Sequence, residues 1–187
     1  FSTDGKAVAY IVTTAEGKQM ASYNGEDGRP YEVVRDLLLS PNGGSLAYIA
    51  VPSNGTVVVV RDGQESPAYV GVSQIQFSQG QLTHLGYVAQ LSSAADQSAK
   101  YAVVVDKQFS ATFQEVRHFG FSPEGKFAAY ITRDQNADGQ PLLQLHLNNK
   151  ATGLPYDAVP LSAALVYAED HVELVVRKGT TFYRLTA

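Results

Sequence analysis

The segment FSPEGKFAAYI, Phe121 to Ile131, recurs along this chain, and the recurrence restricts the fold more than any single residue does. Phe1 opens FSTDGKAVAYI, Leu39 opens LSPNGGSLAYI, Phe77 opens the looser FSQGQLTHLGYV and Val166 opens the worn copy VYAEDHVELVV. The copies start at 1, 39, 77, 121 and 166, so the spacings are 38, 38, 44 and 45 residues, close to the period of a four-stranded propeller blade. A second motif, an aromatic followed three residues later by valine, keeps the same register. It appears at Tyr31/Val34, Tyr69/Val72, Phe113/Val116 and Tyr156/Val159, with the aromatic 8 residues before the next opening residue in the first three cases and 10 in the last.

The second copy reads as strands. Asp36 to Leu39 is a short apolar run ended by Ser40-Pro41-Asn42-Gly43, where Pro sets φ and Asn-Gly tolerates positive φ. Ser45 to Ala50 leads into Leu46-Ala47-Tyr48-Ile49, Pro52 to Gly55 breaks the run, and Thr56 to Val60 follows with four consecutive valines. A β-branched run without polar alternation suits a strand covered on both faces. Asp62-Gly63 turns the chain again, and Pro67-Ala68-Tyr69-Val70 is read as the fourth strand. Four antiparallel strands per repeat, with no helical periodicity, predict an all-β propeller of four-stranded blades, one domain over residues 1–187 or part of one. A β-sandwich is the alternative, but it does not require turn chemistry to recur in register. Tyr10, Tyr48, Tyr87 and Tyr130 occupy the same place in each second strand, where an aromatic fills the wedge between neighbouring sheets.

The repeats FSTDGK, LSPNGG and FSPEGK, each followed by an Ala-Tyr pair, resemble the F-S-P-D-G-K-x-L-A-[FY] repeat of TolB-like propellers, also found in the propeller domains of prolyl-oligopeptidase-type peptidases. The resemblance covers nearly the whole chain, although the third and fifth copies lack Pro-Asp-Gly at the turn. It implies a propeller and leaves function open, because such propellers serve as binding platforms, substrate gates and occasional enzymes. About 18 strands are expected, three in the first copy, four in each of the next three and three in the last. The first copy holds only the tail of an inner strand and the fifth lacks an outer one, which predicts an incomplete or open arc. Bare apolar flanks, including that of Leu174-Val175-Val176, are then expected to be covered by further blades of a parent chain or by a partner within an assembly.

Composition narrows the function classes. Hydrophobic residues make up 44% and charged residues 17%, enough for a core and too little charge for a disordered chain. The net charge of −4, with scattered Lys and Arg, offers no basic stripe for nucleic acid. Without cysteine there are no disulfides or thiolate sites, and no apolar run is long enough for a membrane span. No G-x-S-x-G elbow, P-loop, H-E-x-x-H or C-x-x-C is present.

Loops joining second to third strands vary most, as at Thr14–Lys18, Pro52–Gly55, Gln90–Ala99, Arg133–Pro141 and Lys178–Gly179, and that face is the expected docking surface. Arg35 and Arg117 each lie four residues before a copy's opening residue and so flank the entry of an innermost strand, with His118 adjoining. Two guanidiniums at a channel mouth suit a carboxylate or an acidic peptide terminus; ordinary local pairing is the alternative. His84, His146 and His171 show no metal-pair spacing. Asp134, Asn136 and Asp138 begin a D-x-[DN]-x-[DN]-G calcium loop, but Leu145 stands at its twelfth position and Leu142 at its ninth, so an Asx-rich hairpin turn competes with a calcium site. Asn54-Gly55-Thr56 reads as either a glycosylation sequon or an Asn-Gly turn. Two functions follow. One is a non-enzymatic periplasmic or extracellular binding module that docks a protein or peptide. The other is the propeller part of a larger hydrolase or lyase, gating or positioning substrate.

Overall fold

A computed structural model describes residues 1–80, 83–92, 99–136, 138–159 and 165–187. Among them, 18 strands form five antiparallel sheets of three, four, four, four and three strands, with no helix. The first sheet holds β1 (Ala9–Thr13), β2 (Gln19–Tyr23) and β3 (Glu26–Asp27). The second holds β4 (Val33–Leu39), β5 (Leu46–Val51), β6 (Val58–Arg61) and β7 (Gln64–Glu65). The third runs from β8 (Gly71–Phe77) through β9 (Leu85–Ser92) and β10 (Lys100–Val105) to β11 (Gln108–Phe109). The fourth comprises β12 (Glu115–Phe121), β13 (Ala128–Gln135), β14 (Pro141–Leu147) and β15 (Lys150–Tyr156), and the fifth β16 (Val166–Tyr167), β17 (Val172–Lys178) and β18 (Thr181–Thr186). Each sheet is a meander in chain order, the arrangement of a propeller blade. No described helix could cross a membrane.

Two polar brackets recur in step with the repeat. The motif serines Ser2, Ser40, Ser78 and Ser122 are buried, and their hydroxyls accept from the backbone N–H of Ala7, Ser45, His84 and Phe127 at 2.9, 2.9, 2.9 and 3.2 Å, closing the first turn of the first four repeats. At the opposite hairpin, Asn24, Asp62, Asp106 and Asn148 each have positive φ, as does the residue after them, which is the type I′ geometry that matches strand twist. The side-chain oxygens of these four residues accept from Val8, Leu46, Leu85 and Ala128 N–H at 2.9 to 3.0 Å, locking the third hairpin to the start of the second strand.

The fourth strand of the second sheet differs from the sequence reading. It lies at Gln64–Glu65, and Tyr69 returns only as an isolated pair with Val57. Pro67 cannot donate to the ladder, and Ser66 Oγ takes over, accepting from Val59 N–H at 2.9 Å.

Side chains alternate between the two faces of each sheet, and four apolar clusters fill the four spaces between successive sheets. In the second sheet, Tyr48, Ala50, Val58 and Val60 face the first, while Ala47, Ile49 and Val59 face the third. The two in-step motifs meet in these spaces: Tyr31 packs on Tyr48, Tyr69 on Tyr87 and Phe113 on Tyr130, with ring centroids 6.3, 6.0 and 6.2 Å apart. Tyr10 holds the same register in the first sheet, opposite Ser22, but is 47% exposed, with no described sheet packed on that face. The expected bare flank at Leu174-Val175-Val176 is corrected by alternation: Leu174 and Val176 are buried against the fourth sheet, and only Val175 points away. Among the described residues no cluster joins the fifth sheet to the first, so the body is an open arc.

Candidate functional site

The first strands of the sheets form the inner wall of the arc, and three of them break register at the same point. β4 shifts between Arg35 and Leu38, β8 between Ser73 and Gln76, and β12 between Arg117 and Gly120. The bulge residues Asp36, Gln74 and His118 have φ of 54°, 53° and 53°. A bulge of this kind turns the strand and re-aims the side chains beside it. Arg35, Ser73 and Arg117 therefore occupy equivalent places immediately before it, and the sequence-predicted residues Arg35, Arg117 and His118 share one row.

Hydrogen bonds tie the row together across sheets. Arg35 Nη2 donates to the Val72 carbonyl at 3.4 Å. Gln74 Oε1 accepts from Phe119 N–H at 2.8 Å, and Gln76 Nε2 donates to the Phe119 carbonyl at 2.9 Å. Tyr167 completes the chain with its hydroxyl 3.1 Å from the His118 carbonyl and 3.2 Å from that of Ala129. Burial pushes the Tyr167 phenol well above its ordinary range, which keeps it a neutral donor. Gly120 lies beneath this tyrosine; a Cβ there would stand 2.7 Å from its hydroxyl oxygen.

The charges in the row are locally compensated. Arg35 pairs with Asp36, and Arg117 grips Glu115 with two nitrogens, the second at 2.9 Å. Arg133 Nη1 stands 3.8 Å from the same carboxylate. Glu115 is shared between two guanidiniums, with the Asp134 carboxylate bonded to the neighbouring Gln114 N–H, and both arginines stay partly exposed. Gln74, Gln76, Glu115 and Arg133 were absent from the sequence-level candidates. The bulge that aligns them has no sequence signature, because Asp, Gln and His share its three positions.

Asp134, Asn136 and Asp138 do not converge on one point through the oxygens whose partners are defined. Asp134 Oδ1 accepts from Gln114 N–H at 3.1 Å, across the sheet, while Asn136 Oδ1 accepts from Asp138 and Gln140 N–H at 3.0 and 2.9 Å. These are the contacts of an Asx hairpin turn. The described residues contain no cluster of three metal-ligating acids or imidazoles. Asn54 Oδ1 likewise accepts from Thr56 N–H and hydroxyl at 3.1 and 2.7 Å within its turn. Of the expected docking loops, parts of Gln90–Ala99 and of Arg133–Pro141 lie outside the described residues.

No protein-family model matches the chain, and no curated protein matches it. Solved structures do resemble it. The β-propeller domain of the Trilobed protease from Pyrococcus furiosus, which has an open velcro topology, superposes with a TM-score of 0.56 at 10% identity over 98% of this chain and 66% of that one. An acylaminoacyl peptidase in complex with Z-Gly-Gly-Phe-chloromethyl ketone gives 0.51 at 9% identity over 96% of this chain and 36% of the peptidase. TolB from Acinetobacter baumannii gives 0.46 at 12% identity, over 100% of this chain and 50% of TolB. This chain thus spans just under two thirds of the protease propeller domain and about a third of the peptidase. The likeness to the first two agrees with the five meandering sheets: the fold is a β-propeller.

Proposed function

We propose that this propeller is a non-enzymatic, TolB-like binding module that docks a protein or peptide along its inner wall, in a periplasmic or extracellular assembly. The observation that supports the reading is the aligned row of bulges: Arg35 stands before the bulge of β4 in the second sheet, Arg117 and His118 before and at that of β12 in the fourth, and the bulge of β8 lies between them. A carboxylate of the partner, from an acidic side chain or a free terminus, displaces Asp36 or Glu115 from its arginine. Exchange of one ion pair for another is close to neutral in energy, so such contacts set orientation and encounter rate more than affinity. The variable loops between second and third strands supply the remaining specificity.

The test is a panel of immobilised acidic peptides with free carboxyl termini. Arg35→Ala with Arg117→Ala is expected to weaken capture and flatten its salt dependence, while the melting temperature holds. Identical capture profiles for wild type and double variant would reject the site. A second reading has this propeller gating substrate within a larger hydrolase or lyase. The fold shared with the protease propeller domain favours it, and a catalytic domain in the same reading frame would establish it.

A further inference from the structure

Three successive spaces between sheets are built from the same register positions but filled differently. Between the first and second sheets, Arg29 pairs with Glu65 at 2.9 Å and lies 5.8 Å above the Tyr31 ring, and the Tyr31 hydroxyl donates to the same carboxylate at 2.8 Å. Between the third and fourth, His146 stacks on Tyr130 with ring centroids 5.0 Å apart and meets Phe113 edge-on. Between the second and third, the corresponding positions hold Pro67 in place of Arg29, Phe109 in place of Glu65 and Val104 in place of His146. The charged plug is gone and the stacking ring is gone. A cavity of about 730 Å³ remains.

Its lining is largely apolar, with Val59, Leu85 and Pro67 as walls and Phe109, 45% exposed, at the mouth. The floor is the buried pair Tyr69 and Tyr87, whose hydroxyl oxygens are 3.1 Å apart. Ser66, which also lines the cavity, is a second side-chain hydrogen-bond neighbour of Tyr87. The carboxylates around the cavity are already paired: Asp106 with Arg61 at 2.9 Å and with His84, Asp62 with Arg61 at 3.6 Å, and Glu65 with Arg29 from the far side. Lys107 makes no ion pair among the described residues; its ammonium donates to Gln64 Oε1 at 3.1 Å. One guanidinium, Arg61, serves both Asp62 and Asp106, so the lining has no surplus of positive charge, and Lys107 is its one cation without a carboxylate partner among the described residues.

From this unfilled space we infer a second binding site, separate from the inner row, for a small aromatic carboxylate. The ring packs on the Tyr69–Tyr87 pair beside Phe109, whose own ring lies 6.4 Å from that of Tyr69, and the carboxylate stays beside Lys107. The volume lies in the range of small-molecule sites, and an apolar body with a few placed polar groups is the usual makeup of one.

The experiment uses 2-naphthoate, with neutral 2-naphthalenemethanol as control, titrated into the whole chain by calorimetry and by naphthyl fluorescence, which no tryptophan obscures because the chain has none. Both probes are expected to bind saturably at one site. Lys107→Gln should weaken 2-naphthoate by about threefold to fivefold, the range of a partly exposed ion pair, and leave the alcohol unchanged. Rebuilding the plug of the first space by Pro67→Arg with Phe109→Glu, both at exposed positions, should abolish binding of both probes while the circular dichroism spectrum and melting temperature persist. Phe109→Glu alone serves if the double variant is unstable. Absence of saturable binding, or binding indifferent to the plug, would overturn the site. A Lys107→Gln variant that holds 2-naphthoate as tightly as wild type would overturn the carboxylate assignment.

Discussion

His146 is buried as a neutral ring. Its Nε2 stands 3.1 Å from Thr132 Oγ1, while Nδ1 has no partner among the described residues. Burial pulls its pKa below the ordinary value of 6.5, with Asp134 opposing weakly. A base with a depressed folded pKa takes up protons more readily when unfolded, so its contribution to stability is whole above 6.5 and is lost as the pH falls below that value. The wild-type melting temperature should therefore drop between about pH 8 and about pH 5, and His146→Phe, which keeps the stack without the titration, should flatten that part of the curve. A variant curve parallel to wild type would assign the drop elsewhere. Asp106 acts in a separate, lower window. Burial raises its carboxyl, but hydrogen bonds from His84 and Leu85 N–H bring it below 3.8, so its contribution is lost only as the pH falls below that value. Asp134 Oδ1 and Asn136 Oδ1 accept from backbone N–H groups, and Asp138 enters through its own N–H. Millimolar calcium is accordingly expected to leave the melting temperature unchanged, whereas a rise that Asp138→Ala abolishes would establish a calcium site.

Strands and turns were legible in the sequence where local chemistry dictates them. Ser-Pro-x-Gly marks the first turn because its serine hydroxyl brackets the reversal, and the valine run of β6 marks a strand covered on both faces. The aromatic-x-x-Val motif announced that something recurs, but not that its first three aromatics meet the tyrosine of the following sheet. The I′ hairpins were half visible. Asp62-Gly63 is a plain signal, but Asp106-Lys107 and Asn148-Asn149 adopt the same conformation without glycine. The bulges were invisible, since their residue types share nothing. A left-handed conformation costs a β-branched residue more than it costs His, Asn or Asp. His118→Val is therefore expected to lower unfolding free energy by about 1–2 kcal/mol. His118→Ala is the control that removes the imidazole without β-branching. Equal stability of the Val and Ala variants in denaturant titration would contradict the strained reading.

Across the molecule, stability is shared between nearest neighbours, because each apolar cluster belongs to one pair of sheets. The repeat period made that arrangement legible, but it did not show which face of a terminal sheet is apolar. The outward side of the fifth sheet carries Glu173, Val175, Arg177, Phe182 and Arg184, with Arg184 paired to Glu173. Its inward side carries Val172, Leu174 and Val176, each at most 3% exposed. Adjacent residues of one strand should thus respond very differently. Leu174→Ala empties a packed site and is expected to cost about 2–5 kcal/mol. Val175→Thr, on the outward side, should stay within about 0.5 kcal/mol of wild type. Because the coupling runs through neighbouring sheets, the damage from Leu174→Ala should also be local. Hydrogen exchange is expected to quicken in β17, β18 and the facing strands β13 and β14, while the amides of β5 and β6, two spaces away, keep their protection. Uniform loss of protection from β5 through β18 would show instead that the arc opens as a single cooperative unit.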